Sequence, residues 1–158
     1  MTIYTAGYEG MTIAAFITHL HQAGIDKVLD VREYPLSRKP GFSKKSFCEH
    51  LTAAGIAYEH SPPLGCPKDI RKRYKIDGDW AAYSKDFRAY IKEQKGVLQQ
   101  LITSSGDTNV CMVCYEADHN YCHRSLIAQA AKTIESSLAV VHLDSKKAVA
   151  GKSRKAIA

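Results

Sequence analysis

The feature that most constrains this chain is an alternation: short runs of buried-strand character are separated by segments with helical spacing. The runs are "TIYTAGY" (2–8), "KVLDV" (27–31), "IAYEH" (56–60), "NVCMVCY" (109–115) and "LAVVHL" (138–143). They are rich in β-branched, aromatic and aliphatic residues and too short for buried helices. Between the first two, Ile13, Phe16, Ile17 and Leu20 recur at helical spacing, with Thr12 placed to cap the helix and Gly24 to end it. A second helix starts near Ser43, carries Phe47 and Leu51, and stops at Gly55. Trp80, Tyr83, Phe87, Tyr90 and Ile91 trace one face of a third, read as core packing, and "GVLQQLI" continues it. The last helix runs from Arg124 to Glu135 with Ile127, Ala131 and Ile134 inward. Strands joined by helical crossovers predict an α/β fold: one domain over residues 1–144, with a mostly parallel sheet of about five strands flanked by helices on both faces. The stretch from Ser61 to Asp79, rich in Pro, Gly and charge, reads as an insertion or lid.

Composition sets the class. At 158 residues and 45% hydrophobic, the chain suffices for one core. Its odd number of cysteines, 5, argues for reduced thiols rather than a disulfide framework. No run approaches the roughly 20 apolar residues that cross a bilayer. The expectation is a soluble cytoplasmic protein with no membrane partner, and nothing in the pattern fixes an oligomeric state. Most of the net charge of +6 sits on Lys146, Lys147, Lys152, Arg154 and Lys155, so residues 145–158 read as a flexible basic tail. Two further basic clusters lie in the body, at Arg32, Arg38, Lys39, Lys44 and Lys45 and at Lys68, Arg71, Lys72, Arg73 and Lys75.

Open parallel sheets place their sites beyond the carboxyl ends of the strands. Those ends are chemically loaded here: Tyr8 and Glu9, Asp30 and Arg32, His60, Cys114 and Glu116, His142 and Asp144. The opposite edge, around Gly24, Gly55 and Ser104 to Asp107, has no comparable set.

The densest stretch is "VCYEADHNYCHRS", Val113 to Ser125. Cys111 and Cys114 form a C-x-x-C, but on a strand residues three apart face opposite ways, so Cys111 belongs in the core. Cys114, Glu116, His119, Cys122 and His123 are all metal-ligand types. Their spacing argues against a dedicated site, because adjacent Cys122 and His123 rarely share one ion. No metal or other cofactor is therefore expected, although an ion on those residues stays as an alternative. The favoured reading starts from the helix entry, where free amides and the dipole favour an anion and a thiolate. There Cys122 or Cys114 is a candidate nucleophile, His123 or His60 a proton carrier, and Arg124 with Arg32 an anion clamp. Asp30 orients Arg32, and a loop stiffened by Pro35 and Pro40 presents Ser37 and Arg38 beside Tyr8.

These residues also carry a resemblance. Gly7-Tyr8-Glu9-Gly10, Asp30-Val31-Arg32 with Pro35, Ser37, Arg38 and Phe42, Gly55-Ile56 with Tyr58, His60 and Leu64-Gly65, then Cys114, Glu116 and Cys122-His123-Arg124 resemble the uncharacterised family catalogued as domain of unknown function 488. The resemblance spans most of the chain and implies no established reaction; Cys66 stands where a second glycine is expected. A weaker similarity is to rhodanese-like domains and cysteine phosphatases, with Cys114 in the nucleophile's place. The loop is too long for that pattern, and Glu116 and Asp118 would repel a phosphate. The expected function is an enzyme of unspecified reaction acting on an anionic small molecule, nucleotide or nucleic acid. The alternatives are a non-catalytic nucleic-acid-binding module and a sulfurtransferase or phosphatase.

Overall fold

The first strand, β1 (Thr2–Gly7), lies between two strands that arrive much later, β4 (Val110–Cys114) and β5 (Ala139–Leu143). β2 (Lys27–Asp30) pairs with the other edge of β4 and with β3 (Ala57–His60). The sheet order is therefore β3-β2-β4-β1-β5, and every pair is parallel. This single α/β domain comes from a computed structural model that describes residues 1–144; the expected basic tail lies outside the described residues.

Two helices cover one face. α1 (Ile13–Gln22) starts where Thr12 Oγ1 accepts from the Ala15 amide at 3.2 Å and ends ahead of Gly24, whose φ of 70° suits a residue without Cβ. α2 (Lys44–Ala53) follows Ser43. Phe16, Leu20, Phe47 and Leu51 pack with Val28, Cys111 and Val113 of the sheet. The other face carries α3 (Lys68–Asp77), α4 (Trp80–Lys92), α5 (Lys95–Asp107) and α6 (His123–Ile134), which bury Phe87, Ile91, Leu98 and Ile127 against Ile3, Leu29 and Met112. Cys111 and Cys114 fall in opposite layers, as the pleat requires. Among the described residues no helix is long and apolar enough to cross a membrane.

The stretch after Ser61, read as an insertion or lid, carries regular structure: a 3-10 turn at Pro62–Leu64 and then α3, which ends at left-handed Gly78. None of the α3 side chains is fully buried, so hydrophobic periodicity could not mark the helix. α4 and α5 are separate helices, broken at Glu93 and Gln94. Ile134, expected inward, is the last residue of α6 and 37% exposed.

Candidate functional site

The central strands β2, β4 and β1 end side by side, and each delivers functional groups to one edge. Beyond β2, Arg32 folds back on Asp30: Nε donates to Oδ1 at 2.8 Å and Nη2 to Oδ2 at 2.7 Å. Asp30 also accepts from the Arg32 amide and from the Tyr58 hydroxyl, while Arg32 Nη1 donates to the Phe42 carbonyl and to Tyr8 Oη. Burial opposes the Arg32 charge, but Asp30 outweighs it and holds the guanidinium pKa above its ordinary value. The pair is a buried, fully engaged strut, with Tyr8 stacked on Phe42 at 4.3 Å beside it. Arg32 reaches the edge of the cleft, but the hydrogen bonds of its side chain, among the described residues, go to protein groups.

Beyond β4 the chain runs through a loop and a 3-10 turn, His119–Tyr121, before α6. The loop is pinned from two sides. Glu9 Oε1 accepts from the Ala117 amide at 3.0 Å, and a Cβ on Gly7 would lie 1.7 Å from the Glu116 carbonyl oxygen, so only glycine lets the strand and the loop approach this closely. From the other side, Arg124 donates through Nε to Thr5 Oγ1 at 3.1 Å, through Nη1 to the Glu116 carbonyl at 2.5 Å and through Nη2 to the Ala117 carbonyl at 3.3 Å. Arg124 is 0% exposed. The expectation that it presents its fork to a ligand is corrected: the side chain turns inward and braces the loop, because carbonyls leaving β4 need donors.

What the brace holds is a cluster of four reactive side chains. Cys122 is the N-cap of α6 and His123 its first residue. His123 Nδ1 lies 3.7 Å from Cys114 Sγ and 3.9 Å from Cys122 Sγ, and Cys114 Sγ is 3.4 Å from Glu116 Oε2. The other ring nitrogen, Nε2, donates to the Val31 carbonyl at 2.7 Å, so Nδ1 is the atom turned to the sulfurs. The neighbouring Cys122 sulfur, reinforced by burial, raises the Cys114 pKa. Burial opposes ionisation of Cys122, but Cys114, the Arg124 charge and His123 lower its pKa well below the usual thiol range. Burial, with the negative charge of Cys122, pushes the Glu116 carboxyl up to about 7. Burial also works against His123, and its contact with Cys122 more than reverses this.

Cys114, Glu116 and His123 form the floor of a cleft of about 560 Å³, while Cys122 lies behind them at 1% exposure. One wall is aromatic: Trp80 stacks on Tyr83 at 4.7 Å, with Tyr74 and Tyr121 edge-on or tilted against them. The other wall comes from the loop after β2, with Tyr34 and Ser37. α3 brings cationic Arg71 and Lys75; Arg71 is anchored by Glu33 at 2.7 Å and by the Cys66 carbonyl at 3.0 Å. Cys66 also borders the cleft, and burial pushes its thiol up to about 12.

Of the residues singled out from the sequence, Tyr8, Arg32, Ser37, Cys114, Glu116 and His123 border this cleft. Cys122 supports it from behind, and Asp30 is buried beneath Arg32. His60 does not border it: its Nε2 donates to the Arg32 carbonyl at 2.8 Å, with Nδ1 3.3 Å from Lys44 Nζ, at the β3 edge. Arg38 is exposed outside it. His119 is also elsewhere, stacked on His142 at 3.8 Å and paired with Asp144. Tyr74, Trp80, Tyr83 and Arg71 were missed as site residues. The aromatic stripe of α4 does serve the core through Phe87 and Ile91, but its first turn reaches past the sheet edge into the cleft.

The fold and this edge define a class: a parallel α/β domain with a dithiol, an imidazole and a carboxyl gathered at the carboxyl ends of its central strands. Within that class the chain belongs to the family described as domain of unknown function DUF488, whose family model matches residues 12–131. No curated protein and no solved structure matches the chain.

Proposed function

We propose that this chain is an enzyme that binds an anionic ligand carrying a planar ring, of the nucleotide or nucleic-acid-terminus type, and acts on it at the Cys114–Cys122–His123–Glu116 cluster. One observation carries the reading: the reactive cluster forms the floor of a cleft whose walls offer a ring-stacking surface, Trp80 on Tyr83, and cations, Arg71 and Lys75. Aromatic faces stack on any base, and a lysine and an arginine complement phosphate. A binding module would need the walls but not the buried thiol–imidazole contact behind them. The sulfurtransferase or phosphatase reading has less support, since Arg124 is engaged with loop carbonyls and Glu116 sits beside Cys114.

Trp80 is the chain's only tryptophan, so its fluorescence reports the wall directly. Mononucleotides and short oligonucleotides titrated at fixed ionic strength should quench it, and Arg71→Ala should weaken binding about tenfold. Mass spectrometry of the ligand after incubation should show conversion by the native chain and none by Cys114→Ala, with binding retained. Quenching without conversion would make the protein a binding module; no quenching by any nucleotide would end the reading.

A further inference from the structure

Three soft or borderline donor atoms meet at the cleft floor. Cys114 Sγ, Cys122 Sγ and His123 Nδ1 all lie within 4.8 Å of one another, and all three residues are buried. The two S···N separations are 3.7 and 3.9 Å. A tetrahedral zinc ion with Zn–S of about 2.3 Å and Zn–N of about 2.0–2.1 Å sets its sulfur and nitrogen donors about 3.6 Å apart. The two sulfur–nitrogen separations thus match edges of a coordination tetrahedron within a few tenths of an ångström, and the two sulfurs lie within 4.8 Å of each other. The spacing argument against a shared ion fails here because Cys122 has extended backbone, φ −134° and ψ 141°, while His123 is already helical, which lets neighbours in sequence aim at one point.

The surroundings support a metal as well. His123 Nε2 is fixed by the Val31 carbonyl at 2.7 Å, the kind of outer hydrogen bond that orients a ligating imidazole and leaves Nδ1 for the ion. Two thiolates and a neutral imidazole cancel the charge of a divalent cation, so the loaded cluster would be electrically neutral inside the protein. Cys114 and His123 reach the cleft surface while Cys122 stays behind, so the open side of the triangle faces the ligand space beside Glu116.

We propose that Cys114, Cys122 and His123 bind one zinc ion, with the fourth coordination position directed into the cleft. Binding displaces the thiol protons and any proton on Nδ1, and a water or a substrate atom completes the tetrahedron. The proposal rests on the functional reading above for the use of that open position; the ion's binding stands on the donor geometry.

The test is cobalt(II) titration of the full chain, purified without a histidine tag and reduced and stripped with chelator beforehand. One equivalent should develop a thiolate-to-metal charge-transfer band and the intense visible bands of tetrahedral cobalt, and zinc should displace it. Cys122→Ser should lower cobalt affinity by about 100-fold or more, whereas Cys48→Ser, on α2 away from the cleft, should leave it unchanged. Should Cys122→Ser not fold, X-ray absorption at the zinc edge of the native chain decides, with two sulfur and one imidazole scatterer expected. No uptake, an octahedral spectrum, or uptake that survives Cys122→Ser in a folded protein overturns the site. The readout needs no substrate: cobalt bands without nucleotide quenching of Trp80 would sink the ligand reading alone, and quenching without cobalt bands would sink the metal alone.

Discussion

Replacing Arg124 by alanine tests whether this side chain is a brace or a clamp. The guanidinium is 0% exposed and donates to Thr5 Oγ1 and to the Glu116 and Ala117 carbonyls. Hydrogen bonds from a charged donor contribute about 1.5–3 kcal/mol each, and leaving a buried acceptor unpaired costs about 1–3 kcal/mol. The two carbonyls lie in a loop that can shift toward water and recover part of this, and Thr5 Oγ1 keeps its hydrogen bond with His142 Nδ1 at 2.6 Å. Allowing for that recovery and adding the lost packing, Arg124→Ala should destabilise the fold by about 3–4 kcal/mol. Arg124→Lys, which keeps the charge but cannot fork, should cost about 2 kcal/mol. Equilibrium urea unfolding, followed by Trp80 fluorescence and by circular dichroism, would read the first change as a midpoint lowered by about 2 M. A loss under about 1 kcal/mol, combined with abolished anion binding in a folded protein, would refute the brace and restore the clamp.

Two further substitutions probe the frame of the same edge. Gly7→Ala puts a Cβ 1.7 Å from the Glu116 oxygen, so the loop must move by more than an ångström, at a cost of about 2–3 kcal/mol in urea unfolding; an unchanged midpoint would show that the approach is looser than described. Asp30→Asn leaves the buried Arg32 guanidinium without its carboxylate and should cost about 3–5 kcal/mol by the same measurement, while Tyr58→Phe, which removes only one of the hydrogen bonds to Asp30, should cost about 1 kcal/mol. Equal losses from the two would contradict the assignment of the ion pair as the main strut.

The sheet was legible because central parallel strands covered on both faces are written in short apolar runs, and each of the five runs became a strand, the more exposed edges β3 and β5 included. Local punctuation was legible too: Thr12 caps α1 and Gly24 turns after it. α3 was not, since a helix held by Arg71–Glu33 and aromatic edge contacts writes no apolar stripe. At the site, position along the chain could nominate Cys114, Glu116 and His123 but not their convergence with Cys122, which depends on where one helix begins relative to a strand end. Side-chain direction was hidden in the same way. Arg124 at a helix entry looks like a ligand contact until the carbonyls behind it are seen.

The strand order has a consequence for biosynthesis. Among the described residues β1 pairs only with β4 and β5, so residues 2–7 leave the ribosome about a hundred residues before their first partner, Val110 to Cys114, exists. At roughly 5–20 residues per second that delay is roughly 5–20 seconds, long compared with helix formation and local collapse. Until then the nascent chain can form only the β2–β3 pair, with β1 presenting an unpaired apolar edge that is open to chaperones or to other chains. β4 is therefore the keystone of assembly as well as the carrier of Cys114: the step that joins the two halves of the sheet, through pairing with both β1 and β2, also brings that thiol to the sheet edge. A ribosome stalled before residue 110 would hold a chain with neither β4 to join the two halves of the sheet nor the cysteines and histidine of the cluster.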